Sequence, residues 1–327
     1  MTDRIRIGIV GVGYAGTIHL KNLLEDKRVV VHGIYDIARR KMNSIASRYN
    51  LERYDSYEAM TRDQELDVIY ICTPNIFHAK QTLVALQNSK HVFCEKPMAL
   101  KLSDAKQIVQ VTRKTGLKYQ IGFNRRFCPA YAYVKKLIDS GKIRPVSLNV
   151  KLVRNGLEKP RWVRDTSVSG GLLFESIVHA LDLSRWFLGE ITQVSCHAKS
   201  LVYNQLDTFA IALHSRKGKI SNIFSNAYAH NTTPFERVEM FDDEAEIVVE
   251  EFSRVRYKHN KLTIKDFTRL SERQRWGFAI EDRYFIDSLV NDRNTMVDEH
   301  ESLQSMILLD GCHRSIIGKK PVKLGFS

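Results

Sequence analysis

Arg4-Ile5-Arg6-Ile7-Gly8-Ile9-Val10-Gly11-Val12-Gly13-Tyr14-Ala15-Gly16 decides the fold of this 327-residue chain. Residues 4–10 alternate as a β-strand, the next six spell G-x-G-x-x-G, and a helical apolar pattern follows through Ile18, Leu20, Leu23 and Leu24. Strand, fingerprint and helix in that order form a dinucleotide-binding arrangement. The first glycine permits the tight turn, the second lets backbone approach a pyrophosphate, and the third lets the helix pack on the strand. Phosphates would take the N–H groups and the positive dipole end of that helix. Gly11, Gly13, Tyr14, Ala15 and Gly16 are therefore candidate cofactor-binding residues.

The next β run, residues 29–35, ends at Asp36. A carboxylate at this place accepts from the adenosine ribose hydroxyls and repels a 2′-phosphate, which favours NAD. Arg39 and Arg40 leave NADP open, since an arginine just past this strand can hold a 2′-phosphate. They also read as the solvated first turn of a helix through Met42, Ile45 and Ala46. Arg40 is kept among the cofactor candidates.

Strands and helices keep alternating: an edge strand at 54–57, a helix at 58–62, a strand at 67–72, a helix at 78–88, a strand at 90–94, a helix at 104–114 and a strand at 117–123. That alternation predicts a doubly wound parallel sheet. Thr73, Pro74, Asn75 and His78 follow a strand's carboxyl end and line the expected cofactor crevice, although His78 alone reads equally as a capping or surface histidine. The apolar run Val92-Phe93-Cys94 then delivers Glu95 and Lys96 to a reversal at Pro97, which has no N–H to continue a ladder. Ligands of an open parallel sheet sit outside the carboxyl ends of its strands, so Lys96 faces whatever the sheet binds.

Length favours two domains: a dinucleotide-binding domain over 1–122 and an α+β substrate domain with an open, mostly antiparallel sheet over 123–327. In the second, a strand at 145–153 runs into Arg154-Asn155-Gly156. Farther on, Gly170-Gly171 opens a helix carrying Glu175, His179 and Asp182. Their spacing of four and seven places them on one α-helical face, where Glu175 would orient the His179 ring and leave its other nitrogen to take a proton. Strands are expected at 194–199, 208–214, 219–227, 237–241 and 245–250, with Tyr228, His230 and Arg237 as candidate ligand contacts that each, taken alone, read as structural. Residues 252–275 read as hairpin and loop, followed by helices at 280–290 and 300–317.

The net charge of +13 is spread over both halves without a basic block, which argues against nucleic acid and leaves attraction of an anionic substrate open. Five cysteines without C-x-x-C spacing indicate neither a disulfide framework nor a metal site. No apolar run has membrane-spanning length, and a strand begins within four residues of the N-terminus, so a cytoplasmic protein is expected.

The glycine fingerprint, Asp36, Cys72-Thr73-Pro74-Asn75-Ile76-Phe77-His78, Lys90-His91-Val92-Phe93-Cys94-Glu95-Lys96-Pro97 and Gly122-Phe123-Asn124-Arg125-Arg126-Phe127 together resemble the glucose–fructose oxidoreductase / inositol dehydrogenase (Gfo/Idh/MocA) family. The resemblance covers essentially the whole chain. It implies an NAD(P)-dependent oxidoreductase moving hydride between a secondary hydroxyl of a sugar or cyclitol and the nicotinamide. Lys96, His179 and Glu175 would be catalytic, with Glu175 standing where the family usually has aspartate. Glu95 joins the cofactor residues, and Lys96, Arg125, Arg154, Asn155, Glu175, His179 and Asp182 the substrate residues. A cis Lys96–Pro97 bond, a homo-oligomer formed through the second domain's sheet, and a meeting of Lys96 with His179 across the domains are implied as well. Two other activities occur on the fold: NAD-dependent glycoside cleavage with no net redox change, and non-catalytic dinucleotide sensing.

Overall fold

The computed structural model describes residues 4–157, 160–229 and 233–325. It forms two compact units, one of residues up to Phe123 together with Phe278–Leu303, the other of Asn124–Gly277 together with residues from Gln304 onward. The first crossing falls after Phe123, and the chain returns to the first unit over Phe278–Leu303, a return that a single division at residue 122 does not include. Periodicity reveals a helix at 280–290 and is silent on which core it joins.

The first unit begins with β1 (Ile5–Val10), α1 (Tyr14–Leu24), β2 (Val29–Tyr35) and α2 (Arg39–Tyr49). It continues with β3 (Glu52–Arg53), α3 (Tyr57–Arg62), β4 (Val68–Ile71), α4 (His78–Gln87), β5 (His91–Glu95), α5 (Leu102–Thr115) and β6 (Tyr119–Gly122). The six strands are parallel in the order β3-β2-β1-β4-β5-β6, the doubly wound dinucleotide order with its switch point between β1 and β4. All four residues of β4 are buried, as a strand covered on both faces requires. The edge strand expected at 54–57 is instead β3, two residues earlier, because the Ser56 hydroxyl accepts the Ala59 N–H and starts α3 at Tyr57. In the core, Tyr70 of β4 stacks on Phe93 of β5 with centroids 4.6 Å apart. Ile7, Ile9, Leu20, Leu23 and Ile34 pack into the same apolar cluster, each side chain contributing about 1.5–3 kcal/mol by burial.

The second unit starts with α6 (Pro129–Asp139), β7 (Ser147–Val153) and α7 (Thr166–Ser169). A π-helical turn, Leu173–Ile177, then leads straight into α8 (Val178–Leu188). The strands β8 (Ile191–Lys199), β9 (Thr208–Ser215), β10 (Ile220–Asn226), β11 (Glu236–Phe241), β12 (Glu246–Glu250), β13 (Arg254–Lys258) and β14 (Leu262–Asp266) follow, then the short helix α9 (Glu272–Arg275). Next, α10 (Phe278–Val290) belongs to the first unit, α11 (Glu299–Gly318) contains the return at Gln304, and β15 (Val322–Lys323) ends the sheet. The nine strands run β14-β13-β12-β11-β7-β10-β9-β8-β15. Among the described residues only β7 and β10 pair in parallel, so the sheet is mostly antiparallel. Residues 252–275 are resolved as the β13–β14 hairpin and α9. All five cysteines are free thiols. Among the described residues no helix is long and apolar enough to cross a membrane.

Candidate active site

In the first unit, three strand ends converge on the switch point. The turn after β1 carries the glycine fingerprint. Gly11 has φ +85°, and a Cβ there would meet the Cys72 carbonyl oxygen at 2.6 Å; a Cβ on Gly16 would run into the Gly11 carbonyl. Those two glycines are required by the protein itself. Gly13 is different: a Cβ there would meet nothing within 4 Å, and no side chain caps α1 at this position. Open space in front of an uncapped helix N-terminus fits a pyrophosphate, which would take the N–H groups of that first turn. Asp36 is half-buried, its carboxylate accepting the Val12 N–H at 2.8 Å and the Ala38 N–H at 2.7 Å. These bonds tie it to the fingerprint loop, where a ribose would lie. Arg39 turns away to the Asp55 and Tyr54 carbonyls and stacks over Tyr35. Arg40 is exposed at the start of α2.

Thr73 follows β4, and its hydroxyl donates to Gln81 at 2.5 Å. Pro74 is half-buried and Asn75 buried. His78 corrects the expectation that it lines the crevice. Its ring is wholly buried, with Nδ1 2.7 Å from the Pro97 carbonyl and Nε2 2.7 Å from the Thr73 carbonyl. The ring thus ties the turn after β4 to the turn after β5. Burial, the largest influence on it, holds the imidazole below its ordinary pKa. Carbonyl oxygens only accept, so a neutral ring donates to one of them and only the imidazolium donates to both.

At the end of β5 the Lys96–Pro97 bond is cis, and Lys96 is half-buried. Glu95 is likewise corrected as a cofactor contact, since its carboxylate points inward. One oxygen lies 3.2 Å from His19 Nε2, and the other accepts the Lys96 backbone N–H at 3.2 Å. His19 Nδ1 sits 2.7 Å from Asp282 of α10, and Asn22 donates to the second Asp282 oxygen at 2.7 Å.

In the second unit, Glu175 lies within the π turn and His179 in the first turn of α8. A π turn closes i to i+5, so a spacing of four through Glu175 no longer measures one α-helical turn. The Glu175 carboxylate is held by Arg154 Nη1 at 2.5 Å and by the Ser176 hydroxyl, and Arg154 also donates to the Gly156 carbonyl at 3.0 Å. Gly170 and Gly171, at φ +77° and +76°, form the left-handed corner that starts this segment, a conformation disfavoured for residues with a Cβ. His179 is buried, and Asn155 is exposed and bridges to Tyr228. Arg237 pairs with Glu239 and Glu250, and His230 lies outside the described residues.

Two expected substrate residues are instead structural. Asp182 is buried, accepting Arg126 on both oxygens at 2.7 and 2.8 Å and Ser305 at 3.1 Å. Arg125 is buried and donates twice to Glu236, which also takes the Tyr131 hydroxyl at 2.6 Å. Both Asp182 oxygens are engaged internally, and Arg125 commits Nε and Nη2 to Glu236. The sequence pattern put Asp182 on the right helix without revealing a guanidinium 56 residues away.

The description "Oxidoreductase family, NAD-binding Rossmann fold" matches residues 5–123, and the GFO/IDH/MocA C-terminal domain matches residues 131–253. The chain belongs to the GFO/IDH/MocA oxidoreductase family. NAD is the cofactor of this fold, and the cradle formed by Gly11, Gly13, Gly16 and Asp36 fits it. A scyllo-inositol 2-dehydrogenase (NAD(+)) of Bacillus subtilis is 27% identical over 350 residues, covering 99% of this chain and 97% of that protein. A myo-inositol 2-dehydrogenase of Thermotoga maritima is 25% identical over 339 residues, 98% of each. The crystal structure of scyllo-inositol dehydrogenase from Lactobacillus casei with bound NAD(H) and scyllo-inositol shares the fold, with a TM-score of 0.84 at 23% identity over 98% of this chain and 99% of that one.

Within this GFO/IDH/MocA chain, reading the sequence missed His19, Arg126, Ser176 and Asp282. His19 carried a usable signal, because it stands next to Leu20 on the buried side of α1, where an imidazole needs a partner.

Proposed function

We propose that this chain is an NAD-dependent dehydrogenase oxidising a secondary hydroxyl of a cyclitol or sugar. The observation that carries this reading is the end-to-end match to two inositol 2-dehydrogenases by a chain that has Lys96, Glu175 and His179 at the positions the family resemblance makes catalytic. Bound NAD supplies the hydride acceptor. The Lys96 ammonium hydrogen-bonds the carbinol oxygen, lowers the pKa of that hydroxyl and stabilises the developing alkoxide. His179 takes the hydroxyl proton, and Glu175, held by Arg154 and the Ser176 hydroxyl, is the carboxylate that the family resemblance pairs with it. Self-association through the open face of the second unit's sheet belongs to the same reading; Ile220 and Phe224 are exposed on β10, and light scattering tests it. The five free thiols suit a reducing, cytoplasmic setting.

The deciding assay incubates the purified chain and NAD with myo-inositol, scyllo-inositol and a set of hexoses while following NADH absorbance. One or more polyols should reduce NAD. Lys96→Ala and His179→Ala should each lower turnover by ~10²–10⁴-fold while NAD still binds. No NADH from any polyol, or near-normal turnover in either variant, sinks the reading. A product formed without net NADH would favour the glycoside-cleaving alternative.

A further inference from the structure

Beneath the Lys96 turn lies a buried set of charged groups that the mechanism above does not use. His19, on α1, is wholly inside the first unit, enclosed by the rings of Tyr70, Phe93 and Phe278. Its two nitrogens face two carboxylates: Nδ1 meets Asp282 Oδ1 at 2.7 Å and Nε2 meets Glu95 Oε1 at 3.2 Å. An ionised carboxylate only accepts, so a ring bonded to both must donate from both nitrogens as imidazolium. Asn22 completes Asp282 from the other side. The remaining Glu95 oxygen accepts the backbone N–H of Lys96.

We propose that His19 is a positioning residue for Lys96: clamped between Asp282 and Glu95, its ring holds the Glu95 carboxylate against the Lys96 N–H and so fixes the turn that presents the ammonium. The order of bonds runs Asp282, His19, Glu95, Lys96, from the α10 segment that rejoins the first unit to the end of β5. Breaking it at His19 would leave the Glu95 carboxylate without its interior donor and free to swing toward the Lys96 ammonium, which neighbours it. The inference rests on the proposed catalytic role of Lys96.

The surroundings favour a charged ring. Burial works against the charge on His19, but Asp282 and then Glu95 outweigh it and hold the imidazole well above its ordinary pKa. Burial works against the Glu95 charge, but His19 and then Lys96 outweigh it and hold the carboxyl below its ordinary value. Burial and then the nearby Glu95 charge push the Glu281 carboxyl well above its ordinary pKa, which disfavours a competing charge there. The Tyr70 hydroxyl and Cys72 thiol, also facing the cluster, are pushed up by burial and remain neutral.

The test compares wild type with His19→Leu, which removes both donors, and His19→Gln, which keeps an N–H for Glu95. With NAD bound, each protein is amidinated briefly, and Lys96 labelling is measured by mass spectrometry relative to exposed Lys41. In His19→Leu, Lys96 labelling should fall severalfold against Lys41 and kcat at least ~10-fold, with the NAD dissociation constant little changed. His19→Gln should recover most of both. A folded His19→Leu protein with the wild-type labelling ratio overturns the proposal, as does a failure of His19→Gln to improve on it. If His19→Leu does not fold, Asp282→Asn takes its place, with an unchanged ratio again the overturning result. The labelling needs no substrate, so an absence of polyol turnover in wild type refutes the proposed function separately.

Discussion

The Arg126 guanidinium grips both oxygens of Asp182, at 2.7 and 2.8 Å, with the two side chains only 2% and 1% exposed. Arg126 belongs to the short helical turn Asn124–Phe127 that opens the second unit, and Asp182 to α8. The pair therefore pins the entry of the chain to the helix that carries His179. Arg125, one residue earlier, makes the matching buried bond to Glu236 of β11.

Removing one partner of such a pair leaves an uncompensated buried charge. Arg126→Met or Asp182→Ala should cost about 3–5 kcal/mol of stability, read from urea unfolding. A double variant, Arg126→Met with Asp182→Leu, should recover part of the loss. Near-wild-type stability in the single variants would contradict the assignment of Asp182 to structure.

The three fingerprint glycines should separate experimentally. Gly16→Ala and Gly11→Ala force a Cβ into backbone and should destabilise the fold by about 1–3 kcal/mol. Gly13→Ala places its methyl in open space and should leave the melting curve within about 0.5 kcal/mol of wild type while weakening NAD binding. Thermal melts paired with NAD fluorescence titrations distinguish the two classes.

Arg154 is expected to matter through Glu175. Arg154→Met removes the donor at 2.5 Å and loosens the hold on the carboxylate, which keeps the Ser176 hydroxyl, so kcat should fall by up to ~10². NAD affinity should hold, because the cradle is built from the other unit. Steady-state kinetics with NAD and a turned-over polyol, alongside NAD titration, provides the check.

Glu281 should make stability depend on pH in a definite direction. Burial, followed by the nearby Glu95 charge, raises its folded-state pKa well above the ordinary carboxyl value. Above that ordinary value the unfolded chain loses the proton while the folded chain keeps it, so wild-type stability falls with rising pH until the folded pKa is passed. Glu281→Gln stays neutral in both states. Its melting temperature should exceed wild type at neutral pH, with the advantage shrinking as pH falls toward the ordinary carboxyl range. Melts across that interval measure it, and a difference independent of pH would contradict it.

The parallel sheet, the cofactor turn and the antiparallel second sheet were legible because each rests on local rules. Alternation of two, helical spacing and glycines at fixed offsets act over a few residues, and they specify Gly11, Gly13, Gly16 and Asp36 without knowledge of the rest of the chain. Lys96 was legible for the same reason, as a charge delivered by an apolar strand to a proline. What tertiary structure alone decided is which polar groups are used up internally. Asp182 and Arg125 look available in one dimension, but their partners Arg126 and Glu236 come within reach only when the second unit folds. His78 and Glu95 turn inward to hold neighbouring turns for a like reason. The return of α10 to the first unit, bringing Asp282 to His19 across 263 residues of sequence, is set by burial of its apolar face against α1, and no local pattern encodes that choice.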